Sequence, residues 1–335
     1  MSFKISSLAL AVATLSTVSI ANAAGLDRST QPSWAFTEQG TFAYVEHVTI
    51  DPTIEGKDNA KVATTDANFT AGRNVPDMAD DYQFLNFGAK ADVNDTISIG
   101  AFFDQPWGAD VEFSGDNNFV GTPTAIIASN TATVYSGATQ LLQSINPNAT
   151  AVTSADDYTN AVNTVQNTIN YLNSVGQTTQ ATALADGLTT LQTGAARASF
   201  VNNNLSQVTG ATNVSFSSQN FTGLLGVKLG EKKNIQIYGG PTIQRLEGDV
   251  HLRGNAYKTA SGYDANFTRD TAYGWMAGIA YLKPEIALKA ALTYRSEIDH
   301  DVNMTENLPA LGAAGVGTNE ITITTPKSVN LDFQT

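Results

Sequence analysis

Ala272-Tyr273-Gly274-Trp275-Met276-Ala277-Gly278-Ile279-Ala280-Tyr281-Leu282 decides how this chain is read. Tyr273, Trp275, Ala277, Ile279 and Tyr281 fall on one side of an extended strand, and Ala272, Gly274, Met276, Gly278 and Ala280 fall on the other. A period of two over this length is a β-strand signal. Tyr273 and Tyr281 stand eight residues apart on the aromatic side, which is roughly 26 Å along a strand. With the tilt of a membrane barrel, the pair falls near the two edges of a ~25 Å apolar band.

Working outward, the same alternation recurs. In Ser218–Leu229, Phe221, Leu225, Val227 and Leu229 oppose Ser218, Asn220, Thr222 and Lys228. In Ile286–Ile298, Ile286, Leu288, Leu292 and Tyr294 oppose Lys289, Thr293, Arg295 and Glu297. Thr96–Trp107 sets Ile97, Ile99, Ala101, Phe103 and Trp107 against Ser98, Gly100 and Asp104, with Phe102 breaking the pattern. Ser328–Thr335 alternates Val329, Leu331 and Phe333 with Asn330, Asp332 and Gln334. Segments of 9–12 residues fit a tilted spanning strand. Asp92–Asp95, Glu231–Asn234 and Lys283–Glu285 are short polar turns, whereas 114–213, 248–271 and 299–319 are long connections. Short turns on one side and long loops on the other is the outer-membrane pattern.

Composition agrees. Of 335 residues only 15% are charged, and the net charge is −13. Mean hydropathy is −0.13. Neutral polar residues fill the gap, which suits alternating lipid-facing and polar faces rather than apolar helices. An acidic chain is a poor partner for nucleic acid. The absence of cysteine excludes disulfide scaffolds and thiol chemistry. His47, His251 and His300 are far apart and lack metal-ligand spacing, and no nucleophile elbow, P-loop or zinc-protease motif is present. The reading is a protein without catalytic residues, metal or cofactor.

The domain reading follows. Residues 1–23 form a secretory signal, with Lys4, an uncharged stretch from Ile5 to Ile20 and the Ala21-Asn22-Ala23 cleavage site. Residues 24–40 form a plug-like N-terminal segment, 41–116 are barrel strands, 117–213 are an extracellular helical hairpin, and 214–335 are further strands. The hairpin rests on a cap at Ser154-Ala155-Asp156-Asp157, a stripe from Tyr158 to Leu172, a break at Gly176, and a second stripe of Ala183, Leu184, Leu188 and Leu191. Two compatible readings of it are a self-packed cap over the barrel rim and an apolar landing surface for a hydrophobic ligand. Arg295, on the polar side, is the first candidate ligand residue; its other role is a salt bridge with Glu297 or a facing acid. Arg245, Lys289, Phe102 and Phe216 are further candidates.

Three stretches carry a family resemblance. Asp104-Gln105-Pro106-Trp107-Gly108-Ala109-Asp110-Val111, Ala290-Ala291-Leu292-Thr293-Tyr294-Arg295-Ser296-Glu297 and Thr324-Thr325-Pro326-Lys327-Ser328-Val329-Asn330-Leu331 resemble strands of the outer-membrane long-chain fatty acid transporter family (FadL/TodX type). Gly25–Ser29 is similar to one branch's mature start. The resemblance covers 24–115 and 214–335. It implies a 14-stranded transmembrane β-barrel with an N-terminal plug. It also implies uptake of long-chain fatty acids or other hydrophobic molecules across the outer membrane of a Gram-negative bacterium, with no covalent chemistry. The partners it implies are a hydrophobic small molecule and outer-membrane lipid, with no nucleic acid and a monomeric barrel. The family's plug motif is absent after Gly25, and with eight to ten strands countable, the chain reads as a member lacking its last strands. A general porin or structural barrel, and an adhesin or receptor using the long loop, are the alternatives.

Overall fold

The computed structural model describes residues 33–58 and 72–334. The signal-like segment and the Gly25–Ser29 start lie outside the described residues. The strands are β1 (Phe42–Ile50), β2 (Gly56–Lys57), β3 (Asn74–Val75), β4 (Tyr82–Asp92), β5 (Ile97–Asp104), β6 (Gly108–Glu112), β7 (Asn213–Leu229), β8 (Ile235–His251), β9 (Asp264–Lys283), β10 (Leu288–Arg295), β11 (Ile298–Asn307), β12 (Val316–Thr325) and β13 (Ser328–Gln334). The helices are α1 (Ser33–Phe36), α2 (Thr124–Ile145), α3 (Ala155–Ser174) and α4 (Thr178–Leu205).

The fold is a mostly antiparallel, barrel-type sheet with a helical insertion. Its strands run β1-β4-β5-β7-β8-β9-β10-β13, while β6, β11 and β12 extend β5, β10 and β13 beyond breaks in those strands. Among the described residues the sheet is curled but not closed, with β1 and β13 at the ends of the path. Among the described residues eleven strand segments form this sheet, three of them continuing others past a break, where the resemblance implies fourteen strands in a full barrel. No described helix is long and apolar enough to cross a membrane.

Alternation places the side chains as expected in the lower half, next to the short turns. Ile97, Ile99, Phe221, Leu225, Ile237, Ile279 and Leu292 face outward and are exposed. Ser98, Thr222, Gln236, Thr242 and Thr293 face inward and are buried. Apolar residues outside and polar residues inside suit a wall against lipid.

Above that band the strands continue and the pattern inverts. The stretches 248–271 and 299–319, expected as long connections, are largely strand: β8 runs to His251, β9 starts at Asp264, and β11 and β12 form a hairpin. On β11, Ile298, Val302 and Met304 face inward and are buried, whereas Asp299, Asp301, Asn303 and Thr305 are exposed. Strands with apolar residues inside and polar residues outside are those of a water-soluble wall. A reading tuned to an outward apolar face passes over them.

The 124–205 insertion holds three helices rather than a hairpin of two. The additional helix, α2, buries only Ala125, Ile126 and Ala138, so its stripe is faint in the sequence. Ser154 caps α3 with a full capping box to Asp157, as its sequence predicts. Gly176 breaks the chain at φ +79°, a left-handed conformation that glycine adopts without strain. Gly187 does not break α4: a side chain there would come 2.9 Å from Leu141 Cδ1, so its bareness lets α2 and α4 approach. Many threonines bond back to the carbonyl four residues earlier, Thr131 to Ile127 and Thr164 to Asn160 among them. That spends their hydroxyls inside the helix, where they would otherwise compete with it.

Val165, Ile169, Ala181 and Leu188 form a core between α3 and α4. Leu188→Ala would cost about 2–5 kcal/mol there. Ala125, Ile126, Leu205 and Ala310 seat the bundle on the rim. The Ala125 amide donates to Asn255 Oδ1 at 2.8 Å. The helices of the insertion thus pack on one another and on the rim, while Tyr171 and Phe200 remain exposed on them.

Candidate functional site

The interior is layered. Nearest the short turns is an apolar layer of Phe36, Phe102, Leu224, Tyr238, Met276, Ala280 and Ala291. Phe36 comes from α1, so the N-terminal segment does enter the sheet's concave side. Its ring lies 5.3 Å from Tyr238 and 6.2 Å from Phe102. Gly100 and Gly226 leave room for it, since a Cβ at either would come within 3 Å of the Phe36 ring. This explains why Phe102 breaks the alternation: an inward apolar residue is needed where the N-terminal segment packs. The Lys90 ammonium fastens the same segment, donating to the Glu38 and Gly40 carbonyls at 2.7 and 2.9 Å.

Above lies a polar belt. Arg295 Nη2 donates to Asp104 Oδ2 at 2.9 Å, with both side chains almost fully buried, 2% and 1% exposed. Tyr238 and Thr293 hydroxyls meet at 2.7 Å, and those of Thr222 and Thr242 at 3.1 Å. Gln244 Nε2 donates to Asn220 Oδ1 at 2.8 Å. Gln244 Oε1 accepts from Thr325 Oγ1 at 2.6 Å and lies 2.9 Å from His300 Nε2. The other His300 ring nitrogen is 2.9 Å from Asp270 Oδ2. Such networks hold only when their members have partners, because an unmet polar group away from water is costly.

Beyond the belt is a second apolar layer of Leu246, Tyr263, Ala265, Phe267, Val302, Met304 and Leu308. Inside it the Tyr263 hydroxyl donates to Glu306. The belt sits where the strands break. Asp104 ends β5, Arg295 ends β10 and Thr325 ends β12, and all three point into it.

The sequence-predicted residues divide. Arg295 lies in the belt, paired with a facing acid, Asp104. Glu297 is not beside it: the break after Arg295 turns Glu297 out to solvent, where it pairs with Lys327 at 3.4 Å. Arg245 is exposed on the outer face, between buried Gln244 and Leu246. It lies above the apolar band, where outward positions become charged. Lys289 is inside, but at the short-turn end, bonded to Glu38 Oε1 at 2.6 Å. Phe102 is buried beside Phe36, and Phe216 packs against the upper apolar layer. The structure thus brings none of the other four to Arg295. Sequence reasoning missed Gln244, His300 and Asp270, whose proximity arises only when the sheet curls.

Two cavities flank this interior. One of about 310 Å³ is lined by Trp34, Glu38, Lys289, Asp332, Phe333 and Gln334. The other, about 380 Å³, opens on the outer wall beside the bulge that shifts β8 against β9 at Leu246 and Gly248. Among the described residues no cluster of histidine and acidic side chains could hold a metal ion.

No protein-family model and no curated protein sequence matches this chain. Solved structures do resemble it. A Pseudomonas aeruginosa FadL homologue aligns over 93% of this chain and 62% of its own, at 13% identity and a TM-score of 0.46. The outer membrane protein OprG of Pseudomonas aeruginosa aligns over 87% of this chain and 92% of its own, at 12% identity and a TM-score of 0.33. The chain thus spans less than two thirds of the length of the first.

Proposed function

We propose that this protein is an outer-membrane barrel that passes hydrophobic compounds, long-chain fatty acids foremost, without covalent chemistry. The observation that carries the reading is the layered interior: two apolar layers separated by one buried polar belt containing Arg295. Apolar burial at about 25 cal/mol per Å² favours an acyl chain in such layers. The buried guanidinium offers a charge-assisted partner to a carboxylate head. The general-porin alternative needs a hydrated bore, whereas Thr222, Thr242, Gln244, Tyr238 and Thr293 pack together at the belt.

The decisive experiment is uptake of labelled oleate by cells lacking their own transporter and supplied with this gene. Uptake above the empty-vector control supports the reading. No uptake, with the protein folded in the outer membrane, overturns it in favour of another cargo or of the adhesin alternative.

A further inference from the structure

We propose that Asp104 is an internal stand-in for the ligand's carboxylate: it occupies Arg295 while the interior is empty of ligand and yields that guanidinium to an incoming acid. The inference rests on reading Arg295 as the holder of a carboxylate and adds how its access is controlled.

Three observations carry it. First, the belt has donors in reserve. Arg295 Nε and Asn220 Nδ2 are both buried without a hydrogen-bond partner. Arginine offers a fork of five N–H donors, so a single contact from Nη2 to Asp104 leaves the side suited to a second oxygen unused. Asn220 stands opposite Asp104 in the β5–β7 register. The guanidinium's charge makes an oxyanion a stronger acceptor for these groups than the neutral oxygen of an alcohol or an ester.

Second, the pair is built across the interior rather than along the sheet. Strands β7, β8 and β9 lie between β5 and β10 in the sheet order. Separating the two side chains therefore breaks no ladder hydrogen bond.

Third, each partner ends its strand. Gln105-Pro106 follows Asp104, and proline has no N–H to give a neighbouring strand. After Arg295 the ladder is patched by Ser296, whose amide donates to the Trp275 carbonyl and whose hydroxyl accepts from the Trp275 amide. Asp104 can turn away without pulling a continuous strand with it.

The exchange also balances. A fatty acid arriving as the neutral acid passes its proton to the Asp104 carboxylate, and its own carboxylate takes the guanidinium. The belt's net charge is unchanged, so no additional bare charge is buried. A methyl ester has no proton to give and no anion to offer, and Asp104 excludes it from Arg295.

The test uses the full chain purified in a neutral detergent and two probes. Asp104→Ala leaves Arg295 without its internal acid. Acetate should then raise the temperature at which this variant loses its folded, heat-modifiable gel mobility, and acetamide should not. Equal effects of the two overturn the proposal, as does a variant that folds in neither. In equilibrium binding, Asp104→Ala should bind oleate about tenfold more tightly than the unaltered protein, because the competitor is gone. Methyl oleate, which offers the freed guanidinium only a neutral carbonyl, should gain far less. Oleate binding that is unchanged or weaker in the variant overturns the stand-in role and leaves the transport reading to its own uptake experiment. Acetate rescue in a protein that carries no oleate would keep the exchange and reject the cargo.

Discussion

Ile243 and Leu246 lie three residues apart on β8, yet they are buried by opposite rules. Ile243 points outward at 42% exposure, and Leu246 points inward at 0%. Between them the outer wall changes from an apolar surface to a charged one, beginning at Arg245. On β7 the outer face turns from apolar to neutral polar between Phe221 and Gln219, and on β9 it turns charged between Tyr273 and Arg269. This change marks the upper edge of the outward apolar band.

That edge predicts where a charge is tolerated. Ile279→Arg, in the middle of the band, should destabilise the folded barrel by about 2–4 kcal/mol, and Asn303→Arg, outward on β11, by about zero. Denaturant-dependent refolding into vesicles measures both. Equal costs would mean that the inversion is not the membrane boundary.

Phe36 closes the lower apolar layer. Phe36→Ala should cost about 3–5 kcal/mol of stability, as loss of a buried ring does, and should raise ion conductance in a planar bilayer. Gly226→Val should raise conductance too, because its Cβ would come 2.7 Å from Phe36 Cε1 and displace the ring. Unchanged conductance in both would show that Phe36 does not control passage.

The Asp104–Arg295 pair has a stability signature separable from binding. Removing one partner of a buried pair costs about 3–5 kcal/mol, because the other charge is stranded, whereas replacing both with apolar residues is neutral or favourable. Asp104→Leu with Arg295→Met should therefore melt no lower than the unaltered protein, and Arg295→Met alone well below it. A double variant as unstable as the single one would point to the surrounding network instead.

Asp157 gives the cap a pH dependence. The Thr153 amide foremost, with the Thr153 hydroxyl and the Ser154 amide, donates to its carboxyl, and these bonds hold it below the usual carboxylate range. A depressed folded value contributes stability that is present above the unfolded pKa, about 3.9, and is lost as pH falls through the folded one. The protection of the amides in the first turn of α3, taken relative to the intrinsic exchange rate at each pH, should therefore fall on acidification, and Asp157→Asn should flatten that response. A response identical in the variant would assign it elsewhere.

Asp58 ties Gly72 and Arg73 to Asn118. Its two carboxylate oxygens accept from the Gly72 and Arg73 amides and from the Asn118 amide and side chain, at 2.6–3.0 Å. Asp58→Ala strands those donors at about 1–3 kcal/mol for each that stays dry. Faster amide exchange at Asn118 and Arg73, with β8 and β9 unaffected, is the expected result; uniform acceleration would show a global effect instead.

Much of this was legible in the chain. The outward set Tyr273, Trp275, Ile279 and Tyr281, the tight turns, the Ser154 capping box and the break at Gly176 are local, and their spacing carries them. Arg295 was placed on the inner face by parity alone. Its partner was legible only as a facing acid, because Asp104 is 191 residues away and the two meet across the interior. The helix α2 was hidden because threonine, asparagine and alanine give little periodic contrast. The upper strands were hidden because their apolar faces turn inward.

The sequence by itself determined what each strand offers to either side, since alternate side chains point to opposite faces whatever the fold around them. Only the tertiary structure decided which of those inward groups meet. Curling the sheet brings β5 to β10 and β8 to β11 and β12. It turns separate polar positions into one belt around Arg295, and it leaves Arg245, equally charged and similarly placed in the sequence, outside.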